Sequence, residues 1–68
     1  MVKELDLHGL IHSEVPDLVE NFVLLNTPPF RIITGHSIKM RDIVIKVLEE
    51  HNFNYGIPMF NQGTIMVL

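Results

Sequence analysis

Asp6 and His8 stand two residues apart in Leu5-Asp6-Leu7-His8-Gly9, a spacing that puts both side chains on one side of an extended chain. A carboxylate there can fix the tautomer of an imidazole, which then acts as base or acid on a phosphodiester. The same pair can instead end a strand by bonding the turn that follows. A second polar group comes in Thr34-Gly35-His36-Ser37, with Lys39 and Arg41 close behind. Gly35 lets backbone approach an anion closely, Ser37 can cap a helix, and Lys39 and Arg41 bring charge for phosphate oxygens. His36 can donate to a phosphate or join His8 in a hydrolytic pair. A nucleophilic Ser37 is the weaker reading, because a helix cap accounts for it. Asp6, His8 and His36 lack the spacing of a metal-ligand set, so no metal site is assigned; whether a divalent cation takes part stays open.

These groups are 28 residues apart, so the fold must bring them together. Residues 2–8 alternate, with Leu5 and Leu7 opposite Asp6 and His8, as a half-buried strand does. Ser13 is the expected cap of a first helix, with Pro16 in its first turn and Val15, Leu18, Val19, Phe22 and Val23 as its apolar stripe. Residues 30–34 read as a second strand. Ser37 opens a second helix with Met40, Ile43, Val44, Val47 and Leu48 as its stripe, and Asn52 closes it. Phe53 and Tyr55 lead into a third strand that runs irregularly to Phe60. After a turn at 61–63, residues 64–68 form an apolar last strand.

The order β-α-β-α-β-β predicts one α/β domain over residues 1–68. It is a two-layer sandwich with a mixed four-stranded sheet and both helices on one face, because strand–helix–strand units cross over right-handed. Parallel strands share a carboxyl edge, where ligands of open α/β sheets bind. That edge collects Asp6, His8 and Gly9 with Thr34, Gly35, His36 and Ser37, beside helix starts whose free N–H groups favour an anion.

These residues also carry a family resemblance. Leu5-Asp6-Leu7-His8-Gly9-Leu10 looks like the opening LDLHG motif of the Smr (small MutS-related) domain. Ile32-Ile33-Thr34-Gly35-His36-Ser37 with Met40-Arg41-Asp42 resembles its second motif, and Gly63-Thr64-Ile65-Met66-Val67 resembles its closing strand. The resemblance spans nearly the whole chain. It implies a fold like the carboxy-terminal domain of bacterial translation initiation factor three, with strand order 1-2-4-3. It also implies nucleic-acid binding, and in several members DNA nicking or RNA cleavage. The chain departs from the pattern in its second motif. Where the family more often has His-Gly-x-Gly, this sequence has Thr34-Gly35-His36-Ser37.

Composition bounds the reading. The 68 residues carry a net charge of −3, no Cys and a 47% hydrophobic fraction. Disulfides and thiolate metal cages are excluded, and so is an extended basic clamp. A chain this short buries only about 60% of its unfolded surface, so the core must be dense. No apolar stretch approaches the roughly 20 residues of a membrane span, and nothing resembles a signal peptide, so a cytoplasmic protein is expected. Protonating all four histidines would carry the charge from −3 to +1, so nucleic-acid binding should strengthen as pH falls through about 6.5. The alternative to a nucleic-acid-binding domain or endonuclease is a catalytically silent module. It would dock on a protein or form a homodimer, with Ile65-Met66-Val67-Leu68 as an edge that invites strand pairing.

Overall fold

The structure, a computed structural model, describes residues 3–59 and 61–68. Its elements are β1 (Lys3–Asp6), a 3-10 turn (His12–Glu14), α1 (Val15–Leu25), β2 (Phe30–Ile33), α2 (Ile38–Glu50), β3 (Tyr55–Gly56) and β4 (Thr64–Val67). The sheet order is β1-β2-β4-β3, with β1 parallel to β2 and β4 antiparallel to both its neighbours. This is the expected α/β sandwich. Val2, expected to open the first strand, and Phe60, expected to end the irregular third, lie outside the described residues.

One parity of each strand faces the helices. Leu7, Phe30, Ile32, Ile65 and Val67 are buried with Val15, Val19 and Val23 of α1 and Met40, Val44, Val47 and Leu48 of α2. The opposite parity holds Arg31 and Glu4, whose Nε and Oε2 are 3.7 Å apart. At the centre of the core Phe30 packs edge-on against Phe22, centroids 5.1 Å apart, and tilted against Phe53 at 6.0 Å. Leu18, placed on the α1 stripe by its spacing, is exposed instead.

Several boundaries differ from expectation for local reasons. Ser13 does not cap α1; Glu14 occupies the N-cap position and no side chain bonds there. A Ser13 cap would need a donor from the second or third residue after it; Pro16 has no N–H to give, and the Val15 N–H donates to the His12 carbonyl. The chain makes a 3-10 turn instead, with Glu14 N–H donating to the Ile11 carbonyl at 3.0 Å. The first strand stops at Asp6, and His8 lies in a turn closed by Leu10 N–H on the Leu7 carbonyl at 3.1 Å. Gly9 sits third in that turn with φ +81°, the backbone a type II turn demands. The last strand is no edge: β4 lies between β2 and β3, with Thr64, Ile65 and Val67 buried.

The start and stop of α2 follow their sequence signals. Ser37 Oγ accepts the Met40 N–H at 3.1 Å, satisfying one of the orphan donors of the first turn. At the other end Asn52 has φ 61°. Its N–H donates to the Glu49 carbonyl at 3.1 Å and the Phe53 N–H to the Leu48 carbonyl at 2.9 Å. That is a Schellman closure with Asn in the left-handed position. Ser37→Ala should lower stability by about 1 kcal/mol, which a domain of this size reads as a Tm loss of about 4–8 °C. An unchanged thermal midpoint would show that the hydroxyl contributes nothing to the helix start.

Tyr55, the single tyrosine in the chain, donates its hydroxyl to Glu49 Oε2 at 3.0 Å. That hydrogen bond, then burial, then the carboxylate's charge hold the phenol above its ordinary pKa of 10.0. The fold therefore favours the protonated phenol. This stabilisation is complete below pH 10 and is lost as pH rises through the shifted value. Titration of tyrosinate absorbance should show a raised midpoint that returns towards 10 in Glu49→Gln. Coincident curves for the two proteins would rule out the interaction.

Candidate functional site

The register aligns the carboxyl ends of the two parallel strands, since Asp6 pairs with Ile33. Because β4 runs the other way and Thr64 pairs with Ile33, the turn before β4 arrives at the same edge. Three turns therefore meet there: 7–10 after β1, 34–37 after β2 and 61–63 before β4.

Their contact is close. Gly35 has φ +70°, and a Cβ built on it would lie 3.4 Å from His8 Cδ2. The imidazole therefore rests against the bare α-carbon that leads into α2. A Cβ on Gly63 would come within 3.2 Å of the Gly35 carbonyl oxygen, so these two turns also pack backbone to backbone. His8 and His36 are exposed, and Lys39 is exposed in the first turn of α2.

The two helix starts differ in charge. Glu14 and Asp17 stand over the first turn of α1 and offset its positive dipole end. The first turn of α2 holds no acid, and Ile38 and Lys39 are positions whose N–H groups have no intrahelical acceptor. Glu20 and Glu49 are engaged away from this edge. Glu20 Oε2 is 3.2 Å from His51 Nε2, and Glu49 holds Tyr55.

Several expected roles take a different form in the structure. Asp6 Oδ1 accepts the backbone N–H of His8 at 2.9 Å, so the carboxylate fastens the turn through its backbone, the contact of a strand-ending pair. Gly9 supplies the turn's positive φ. Thr34 is buried, and its hydroxyl reaches the Gly35 carbonyl at 3.0 Å and the Gly63 carbonyl at 3.2 Å. The Gly35 N–H donates to the Gly63 carbonyl at 3.1 Å and so is committed within the fold. Ser37 is the cap of α2. Arg41 Nη2 donates to the Gln62 carbonyl at 2.7 Å, while its Nε is buried without a partner. The exposed side chains at the edge are those of Asp6, His8, His36, Lys39, Asn61 and Gln62, beside the start of α2.

Sequence reasoning passed over Gln62 and Gly63 as site residues. Gly63 alone gave a signal, as the residue that opens the closing-strand motif. Among the described residues, no three His, Asp or Glu side chains are grouped to hold a metal ion. No helix among them is long and apolar enough to cross a membrane.

No family model, curated protein or solved structure matches the chain.

Proposed function

We propose that the chain is a nucleic-acid-binding domain that holds a phosphodiester at the carboxyl edge of its sheet, with His8 as the acid–base group for cleavage. The observation that carries this is the seating of the His8 imidazole against Gly35. It puts a titratable ring from the first motif beside the acid-free start of α2, with His36 and Lys39 next to it. A phosphate at that helix start would meet free N–H groups, a favourable dipole and an ammonium. The resemblance to the Smr domain supports the same reading, and the observed strand order is the one that resemblance implies.

Such a grip is weak and electrostatic. Lys3 donates to Asn26 Oδ1 at 2.9 Å, Arg31 faces Glu4 and Arg41 is held by Gln62. Lys39 is the cation of the edge. Each phosphate neutralised contributes about −0.9 to the slope of log K against log salt on duplex DNA, so a shallow slope is expected. Titrating labelled protein with short DNA and RNA at two salt concentrations should shift residues 6–9 and 34–41 and weaken as salt rises. Shifts confined to other residues, or affinity indifferent to salt, would overturn the assignment.

A further inference from the structure

The 61–63 turn is the most heavily tied part of this edge. The Gly63 carbonyl accepts the Thr34 N–H at 2.8 Å, the Gly35 N–H at 3.1 Å and the Thr34 hydroxyl at 3.2 Å. One residue earlier, the Gln62 carbonyl accepts Arg41 Nη2 at 2.7 Å. The Asn61 N–H donates to the Pro58 carbonyl at 3.2 Å, and the Asn61 carbonyl accepts the Thr64 N–H at 3.3 Å. Two successive carbonyls are thus taken up within the fold, and the Asn61 and Gln62 side chains are left exposed on the turn whose Gly63 packs against Gly35. Carboxamides carry donors and acceptors but no charge. They can bond sugar hydroxyls and base edges, and being uncharged they release no counterions.

We propose that the 61–63 turn is a third wall of the binding edge: Asn61 and Gln62 contact the sugar and base beside the bound phosphate, and Arg41 is the positioning residue that holds them there. This rests on the nucleic-acid reading above and gives it a means of telling one nucleotide from another. It also changes the role of Arg41. A guanidinium with one nitrogen on Gln62 and its Nε buried anchors protein backbone rather than following a phosphate.

The test compares an RNA and a DNA of the same sequence across a range of salt. It uses the parent, Lys39→Ala, Arg41→Ala, Arg41→Lys and the double variant Asn61→Ala/Gln62→Ala. The double variant should bind several-fold more weakly and change the RNA-to-DNA preference, with Tm and salt slope as in the parent. Arg41→Ala should also bind more weakly at an unchanged slope, with faster hydrogen exchange at the Thr34 and Gly35 amides. Arg41→Lys, which keeps a donor for the Gln62 carbonyl, should recover part of both. Parent-like affinity and preference in the double variant would overturn the third wall. A salt slope made shallower by about one unit in Arg41→Ala and restored in Arg41→Lys would make Arg41 a phosphate ligand and overturn its positioning role. Lys39→Ala tests the underlying reading separately, since its slope should fall by about one unit. A parent whose binding ignores salt would end that reading and this inference with it.

Discussion

His8→Ala should slow phosphodiester cleavage by about 10²–10⁴-fold, the usual effect of removing a positioned acid–base group, while leaving the fold intact. The fold survives because the His8 side chain is exposed and the turn around it is held without the imidazole: Leu10 N–H on the Leu7 carbonyl, and the His8 backbone N–H on the Asp6 carboxylate. The cleavage proposed above would suffer because the imidazole seated on Gly35 at the start of α2 is the group given the acid–base role. Single-turnover cleavage of a labelled strand under saturating protein separates the two effects, since weaker binding no longer limits the rate there. A variant that cleaves as fast as the parent would remove His8 from the chemistry. Asp6 gives a sharper control. Asn at position 6 can still accept the His8 N–H through its side-chain oxygen, so Asp6→Asn keeps the turn and removes only the charge. Parent-like cleavage in Asp6→Asn assigns the carboxylate a purely structural part; a loss comparable to that of His8→Ala means that its charge also steadies the imidazolium.

What could be read from the sequence was what short-range chemistry decides. The α2 boundaries are an example, because Ser37 and Asn52 act within three to five residues of themselves. The apolar stripes and the strand–helix alternation are likewise local patterns, and with crossover handedness applied they led to the parallel pairing of β1 with β2; the strand order 1-2-4-3 was implied only by the family resemblance. The misreadings share a different cause. Ser13 carries a cap signal that Pro16, three residues on, cancels by lacking an N–H. The apolar run of the last strand suits an edge that invites pairing and, equally, a strand buried inside the sheet, and its letters do not choose between the two.

The candidate site shows the same division. Its exposed groups His8, His36 and Lys39 were legible because residue type and motif spacing are visible along the chain. Its internal bonds were not. Arg41 reaches a carbonyl 21 residues away, and Thr34 reaches one 29 residues away. Both partners are backbone atoms, which carry no signature in the residue letters. A cation beside a glycine turn reads as a phosphate ligand until the register of β4 brings Gln62 to it.

Phe30→Ala should unfold the domain or bring it to the edge of unfolding. Phe30 is fully buried, and its ring packs against Phe22 from α1 at 5.1 Å and Phe53 from the segment after α2 at 6.0 Å. Removing such a ring costs about 3–5 kcal/mol in transfer and cavity terms, and the edge-to-face pairing adds about 0.5–1.5 kcal/mol. A domain of this length has a total stability of only about 3–10 kcal/mol, so the loss takes a third of it at the least. Circular dichroism and urea titration measure the effect. The expected result is an absent or greatly lowered transition in Phe30→Ala and an intermediate one in Phe30→Leu, which keeps most of the volume. The cost is also transmitted to the site, because β2 runs from Phe30 directly into Thr34 and Gly35 and its register sets where the three turns meet. Nucleic-acid binding should therefore fall with the folded fraction in both variants, without a change in salt slope. A Phe30→Ala protein with the parent's urea midpoint would mean that the core is held elsewhere, and that the edge does not depend on this ring.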